Sequence, residues 1–449
     1  MIGKSVAEIA RILGQTSLVD VPVLHFAVDS RKVEIGSMFF ALKGEKVDGH
    51  NFLQEAKRLG AVSAVVEASY LGDSYGLELI YVENPLQALQ SLARLAAEGI
   101  RSVGITGSVG KTTTKEFLYT LLKDRYKVGK TPGNANSQTS LPLHLLSANR
   151  DCDLFIAEMG MSQKGEIASL VSIIPPEIAI VTQVALSHAV NFPRGIEEIA
   201  EAKAEILSHK ATKKAFLHAD VYAKEAFQNT KDLSIVAYGD IQEGTFIQKA
   251  ESGWVICHKG VYTPCFTLPF EAKHLVHNFL GAALAAYELG MQWEEIFSAA
   301  KNLSSYQKRF EIVEKGGITF VNDSYNANPT SVRAALENLP KPKEGGKVIA
   351  ALGTMGELGV FSEGAHREVG RVAALHVDVL LCFGADTNYM AAEFIQSEKR
   401  VEQFACFSLF KEAVLETAKP GDVVLIKASN SLALWKILED QTHGADSIH

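Results

Sequence analysis

Apolar positions along this chain change their period several times, and the changes divide it into segments. Ser5-Val6-Ala7-Glu8 sets a hydroxyl three residues ahead of a carboxylate. That is a capping box, and it opens a short amphipathic helix that stops near Gly14. Phe39-Phe40-Ala41-Leu42 is a continuous apolar run and reads as a strand. Loop signals come next at Lys43-Gly44-Glu45 and Asp48-Gly49-His50, then a helix at about 51–59 and a strand at 61–66. A helical pattern covers 85–98. Short β-branched runs at 102–106, 153–157 and 178–182 then alternate with helical stretches, which predicts a parallel sheet with crossover helices. Residues 245–270 look richer in strand, and an Ala/Leu-rich helix is expected near 274–289. Strand candidates return at 318–321, 348–352, 377–383 and 423–427 with helices between them, the pattern of a second, Rossmann-like unit.

The reading is an α/β chain of three domains: 1–84, small and α/β; 85–310, a central parallel-sheet domain; and 311–449, Rossmann-like. A length of 449 residues suits three domains, and a 47% hydrophobic content lets each bury a core. The net charge of −8, with no long basic run, argues against a nucleic-acid partner. Five cysteines form no CxxC pair and are odd in number, so they read as reduced thiols and not as a disulfide frame or a zinc site. The N-terminus has no signal-peptide pattern, and no apolar stretch is long enough to span a bilayer. The expectation is a cytoplasmic protein without stable membrane insertion.

The most informative stretch is GITGSVGKTTTKE at 104–116. A β-branched run enters a glycine-rich turn and leaves as a helix. Glycines let backbone N–H groups converge on phosphate oxygens, the lysine adds a point charge, and the hydroxyl after it can ligate Mg²⁺. Residue 105 is Ile where the strict GxxxxGK[ST] pattern has glycine, so the loop fits the shorter TGSxGKT form. Gly107, Ser108, Gly110, Lys111, Thr112 and Thr113 are therefore the expected contacts to a nucleoside triphosphate. A nucleotide-switch GTPase is disfavoured: strand 153–157 ends in Glu-Met-Gly, not Asp-x-x-Gly, and Asn-Lys-x-Asp is missing.

Glu158 comes directly after that strand, beside the phosphate loop, where a second metal ligand belongs; the alternative is an exposed strand-end glutamate. Asp323, after a strand, suits the hydroxyls of a ribose, and Arg309 suits a phosphate or a hinge contact. Taken alone, His188 reads as a structural or exposed histidine, and Lys203 in EEIAEAKAEIL as a solvated helix lysine.

Several further motifs, in order and at the right spacing, make the whole chain resemble the Mur ligases. Asp29-Ser30-Arg31, FFALKGE at 39–45 and Asp48-Gly49-His50 resemble that family's uridine-nucleotide domain, with Ser30, Arg31, Lys43, Gly44 and Asp48 as implied contacts. Glu158-Met159-Gly160, His188 and the helix bearing Lys203 resemble its metal and carbamate elements. TPGNANS at 131–137 resembles TxGNxN and implies that Asn134 and Asn136 touch the muramoyl peptide, although Ser137-Gln138-Thr139-Ser140 departs from the usual continuation. AKHLVHN at 272–278 resembles GxHNxxN, so the adenine contact rests on Asn278, with His274 as an addition. DSYNANPTS at 323–331 and LGTMGELG at 352–359 narrow the resemblance to one branch, in which Tyr325, Asn326 and Asn328 help to place a dipeptide.

The resemblance implies an ATP-dependent carboxylate–amine ligase that adds D-Ala-D-Ala to UDP-N-acetylmuramoyl-tripeptide through an acyl phosphate. It implies catalytic roles for Lys111, Glu158, His188 and Lys203. It also implies two Mg²⁺ ions held by Thr112, Glu158, His188 and a carbamylated Lys203, and a monomeric state. A carbamate needs a neutral amine, so Lys203 is expected in a partly buried site that lowers its pKa. LysAlaSerAsn at 427–430 departs from the family's Lys-Gly-Ser-Arg, and Asn430 cannot supply the arginine's charge.

Overall fold

Four sheets organise the described residues. The computed structural model describes residues 1–44, 46–147, 152–228, 233–241 and 244–439. Glu45 of the FFALKGE run and residues 440–449 of the expected third domain lie outside them.

The first sheet is parallel, in the order β1 (His25–Ala27), β2 (Ser37–Phe40), β3 (Ser63–Glu67), β4 (Glu78–Val82). Its inner strands are buried on both faces, which explains the continuous apolar run at 39–42. The capping box at Ser5 forms as expected, with Ser5 Oγ accepting from Glu8 N and Glu8 reaching back to Ser5 N.

The central sheet contains β5 (Arg101–Thr106), β6 (Val128–Lys130), β7 (Leu154–Glu158), β8 (Ile178–Val181), β9 (Lys214–His218) and β10 (Ser234–Tyr238). All pairs are parallel, in the order β10-β9-β8-β5-β7-β6. The chain goes to one side of β5 for β6 and β7, then crosses to the other side for β8. Ligands of open α/β sheets bind at such a reversal, beyond the carboxyl ends of the strands. The stretch at 245–270 is a separate antiparallel ribbon of β11 (Phe246–Ala250), β12 (Gly253–His258) and β13 (Val261–Tyr262). The Ala/Leu-rich helix Lys273–Glu288 buries Leu275, Phe279, Leu280 and Ala282 to Ala286, and packs against helix Lys111–Leu122.

The last sheet runs β14 (Glu311–Lys315), β15 (Ile318–Asn322), β19 (Val423–Lys427), β16 (Val348–Gly353), β17 (Val379–Phe383), β18 (Arg400–Phe404). It is parallel except for the β14–β15 hairpin. Its two edge strands mix charged residues (Glu311, Glu314 and Lys315; Arg400 and Glu402) with apolar ones, so their sequences do not advertise themselves as strands. Loops after β15, β16 and β19 gather at one end, facing the phosphate loop. No helix of the described residues is long and apolar enough to cross a membrane.

Candidate active site

The chain leaves β5 and turns on Gly107 and Gly110, whose φ angles are +144° and +89°. A Cβ on Gly107 would sit 1.9 Å from Thr182 Oγ1, and one on Gly110 would sit 2.3 Å from Asn278 Oδ1. Glycine is thus required by conformation and by space. The loop is pinned to the end of β8: Ser108 N donates to Gln183 O at 2.7 Å, and Thr182 Oγ1 donates to Val109 O at 2.6 Å. Ser108 Oγ donates to Ala185 O and accepts from Ser187 Oγ. Helix Lys111–Leu122 then starts with its unpaired N–H groups toward the cleft, an anion site by construction.

Glu158, the last residue of β7, is buried and fully engaged. Its Oε2 accepts from Thr112 Oγ1 at 2.9 Å, and its Oε1 accepts from Asn136 Nδ2 at 2.8 Å. Lys115 Nζ lies 3.4 Å away and also donates to Gly133 O at 2.5 Å, which ties the 131–137 loop to the helix. Arg309 Nη2 donates to Thr112 Oγ1 at 2.9 Å from the segment leading to the last sheet. Glu158 is therefore not an exposed strand end.

Lys111 Nζ and Lys203 Nζ both donate to one acceptor, Gly107 O, at 2.7 and 3.0 Å. Lys203 is 2% exposed. Burial, with Lys111 adding to it, drops its pKa well below the ordinary lysine range. The reading of a solvated helix lysine is thus excluded. His188 adopts a left-handed φ of +54°, and its Nδ1 lies 2.5 Å from Glu357 Oε2. Burial lowers the His188 pKa, with Glu357 opposing the shift. Glu357 comes from the loop after β16, and its main-chain O accepts from Val190 N at 3.0 Å. Lys111, Asn136, His188, Lys203 and Asn326 line one cavity of about 180 Å³.

Beside it lies a cleft walled by Gly110, Thr113, Asn278, Arg309, Asp323 and Tyr325. Ser108 and Asn326 line both spaces, so the two adjoin. The Arg309 guanidinium stacks 3.9 Å over the Tyr325 ring, and the Tyr325 side chain bonds that of Asn134 across the cleft. Arg309 Nε and His274 Nδ1 are buried there without a partner. Burial pushes the His274 pKa down to about 4, so this ring is neutral near pH 7. Asp323 accepts from Lys427 Nζ at 2.6 Å and from Phe310 N at 3.1 Å.

Ser30, Arg31, Lys43 and Gly44 line a cavity of about 820 Å³ over the first sheet, with Asn84 and Thr139 on its far wall. Asp48 is not among its lining residues. Its carboxylate caps the turn Gly49–Phe52, accepting from His50 N at 3.0 Å and facing His50 Nδ1 at 2.7 Å. Asn328 likewise serves its own helix, capping Pro329–Glu337 by accepting from Ser331 N at 2.8 Å, although it borders the nucleotide cleft. Three residues stand in the site inside runs that the sequence marks, but without a role assigned to them there: Lys115, Glu357 and Lys427. Each reaches a partner distant in sequence, Glu158, His188 and Asp323 respectively, and only the fold shows that pairing.

Among the described residues no three His, Cys, Asp or Glu side chains converge as a ready-made metal site. Mg²⁺ does not need one, because it is held by one or two carboxylates together with phosphate oxygens and water. The Thr112 hydroxyl facing the Glu158 carboxylate beside the phosphate loop fits that requirement. His188 and Lys203 share the adjoining cavity, and Lys203 fits a cation only if its amine carries a carbamate.

A phosphate loop at a sheet reversal, a buried hydroxyl–carboxylate pair beside it and a Rossmann-like unit closing over both define a nucleotide-dependent group-transfer fold. The chain belongs to the Mur ligase family. Its models match at 24–96 (Mur ligase family, catalytic domain), 105–286 (Mur ligase middle domain) and 308–430 (Mur ligase, glutamate ligase domain). The UDP-N-acetylmuramoyl-tripeptide--D-alanyl-D-alanine ligase of Bacillus subtilis (strain 168) is 32% identical, covering 97% of each chain. Crystal structure I of MurF from Acinetobacter baumannii superposes with a TM-score of 0.85 at 25% identity, over 97% of this chain and 98% of that one. MurF from Thermotoga maritima in complex with ADP gives 0.79 at 28% identity, over 93% and 96%.

Proposed function

We propose that this chain joins D-Ala-D-Ala to UDP-N-acetylmuramoyl-tripeptide at the expense of ATP, the last step in building the nucleotide precursor of peptidoglycan. The adjacency of the nucleotide cleft and the lysine-lined cavity through Ser108 and Asn326 carries the reading. Such adjacency places the phosphate of one ligand next to the carboxylate of another, as phosphoryl transfer between them requires.

Gly107, Ser108, Gly110, Lys111 and Thr113 receive the phosphates, and Asn278, Arg309 and Asp323 orient the rest of the nucleotide. The tripeptide carboxylate enters the cavity beside Asn136, His188 and Lys203. Two anions must meet there, and Lys111 and Arg309 supply the charge that offsets their repulsion. The carboxylate oxygen attacks the γ-phosphorus, the bond to ADP breaks, and an acyl phosphate forms. The dipeptide amine, placed by Tyr325 and Asn326, attacks the acyl carbon, loses a proton, and inorganic phosphate leaves. Thr112 and Glu158 would hold one Mg²⁺, with His188 and a carbamylated Lys203 holding another; bound there, Mg²⁺ neutralises charge on the phosphates. The demand for ATP and the free thiols support a cytoplasmic setting.

The test is phosphate release from purified protein with Mg²⁺–ATP and UDP-N-acetylmuramoyl-tripeptide. D-Ala-D-Ala should drive it. Release driven by a single amino acid would assign the chain to a sister ligase.

A further inference from the structure

The uridine-side cavity and the lysine-lined cavity share no residue, yet Thr139 walls the first while Gln138, its neighbour in sequence, walls the second. A substrate whose nucleotide sits in one and whose carboxylate reacts in the other must pass this dipeptide.

Gln138 is held in one orientation. Gln90 Nε2 lies 3.3 Å from the Gln138 main-chain carbonyl and 3.1 Å from Gln138 Oε1. The carbonyl only accepts, so the Gln90 atom facing it is the amide nitrogen. The Gln138 side-chain atom facing that nitrogen must then be its oxygen. Ser169 Oγ donates to the same Oε1 at 3.3 Å. Three elements thus converge: helix Pro85–Ala96 brings Gln90, helix Glu166–Ile173 brings Ser169, and the 131–140 loop brings Gln138. The acceptor end of the Gln138 amide is doubly used, its NH₂ end holds no hydrogen-bond partner among the described residues, and the residue lines the cavity.

We propose that Gln138 is a specificity-determining residue that donates a hydrogen bond to an acceptor oxygen of the peptidyl chain, between its uridine-bound end and the reacting carboxylate. Gln90 and Ser169 are positioning residues that keep the amide from flipping. This rests on the ligase reading above.

Gln138→Glu is the discriminating variant. A glutamate carboxylate still accepts from Gln90 and Ser169, so the clamp survives, while the free end changes from donor to anion. The KM for UDP-N-acetylmuramoyl-tripeptide should rise roughly tenfold or more, with the KM for ATP unchanged. Gln90→Leu, which leaves the amide free to turn, should raise the same KM by a smaller factor and leave kcat at saturation near the parent value. A parent-like KM for the nucleotide peptide in Gln138→Glu, or equal losses for both substrates, would overturn the assignment. An unmodified chain that fails to turn over this substrate would instead overturn the ligase reading.

Discussion

The Thr112 hydroxyl donates to Glu158 Oε2 at 2.9 Å and accepts from Arg309 Nη2 at the same distance. One oxygen therefore joins the start of a helix, the end of a neighbouring strand and the segment leading to the last sheet. Glu158→Gln keeps the shape of the acid and removes its charge. Phosphate release should fall by about 10²-fold or more. The melting temperature should fall as well, because buried Lys115 loses one of its two carboxylate partners and keeps only Glu116. Parent-like turnover would remove Glu158 from the proposed metal pair.

Lys203 should carry CO₂. Burial and the nearby Lys111 lower its pKa, so the neutral amine that reacts with CO₂ is populated at a lower pH than in an exposed lysine. Protein equilibrated with ¹³C-labelled bicarbonate near neutral pH should show a carbamate resonance that Lys203→Ala lacks. The same variant should be inactive and regain part of its turnover with added short carboxylic acids. Full turnover of Lys203→Ala without them would contradict the assignment.

Lys427 Nζ holds three acceptors at the end of β19: Asp323 Oδ2 at 2.6 Å, Asp323 O at 3.3 Å and Asn326 O at 2.9 Å. Lys427→Met should free the carboxylate and loosen the loop. The expected result is a rise of roughly tenfold in the KM for ATP and a smaller preference for ATP over its 2′,3′-dideoxy analogue. An unchanged preference would separate Asp323 from the ribose.

His277 offers a pH test away from the chemistry. Its ring faces His218, Asp240 and Lys273, with Asp220 farther out. Burial, with His218 adding to it, lowers its pKa to about 4. The folded state thus binds fewer protons than the unfolded one between pH 4 and an unfolded value near 6.5. Its contribution, on the order of 3 kcal/mol, is complete above about pH 6.5 and is lost as pH falls toward 4. The melting temperature of His277→Gln should decline less between pH 7 and pH 5 than that of the parent protein.

The phosphate loop is legible in the sequence because its chemistry is local: glycines, lysine and hydroxyl stand side by side. Glu158 and Asp323 are legible because each stands at the end of an apolar strand run, where a sheet presents its ligands. Asp48 and Asn328 show the opposite case. Short polar side chains before a turn or helix serve as contacts, as caps or as both; the fold shows that both cap, and that Asn328 also lines the cleft. The hairpin strand Glu311–Lys315 is invisible in the sequence because charged residues fill three of its five positions, Glu311, Glu314 and Lys315. Lys427 and Glu357 fall in runs the sequence marks, but their roles are out of reach because their partners lie more than a hundred residues away.

Sharing the Gly107 carbonyl makes Lys111 and Lys203 answer to each other. A nucleotide that draws Lys111 toward its phosphates takes a positive neighbour from Lys203 and leaves it the carbonyl alone. Lys203 then holds its proton more firmly and parts with it less readily for CO₂. On the proposed carbamylation of Lys203, the empty loop is the better host for that reaction, and the expected order of assembly is the modified lysine first and the nucleotide after it.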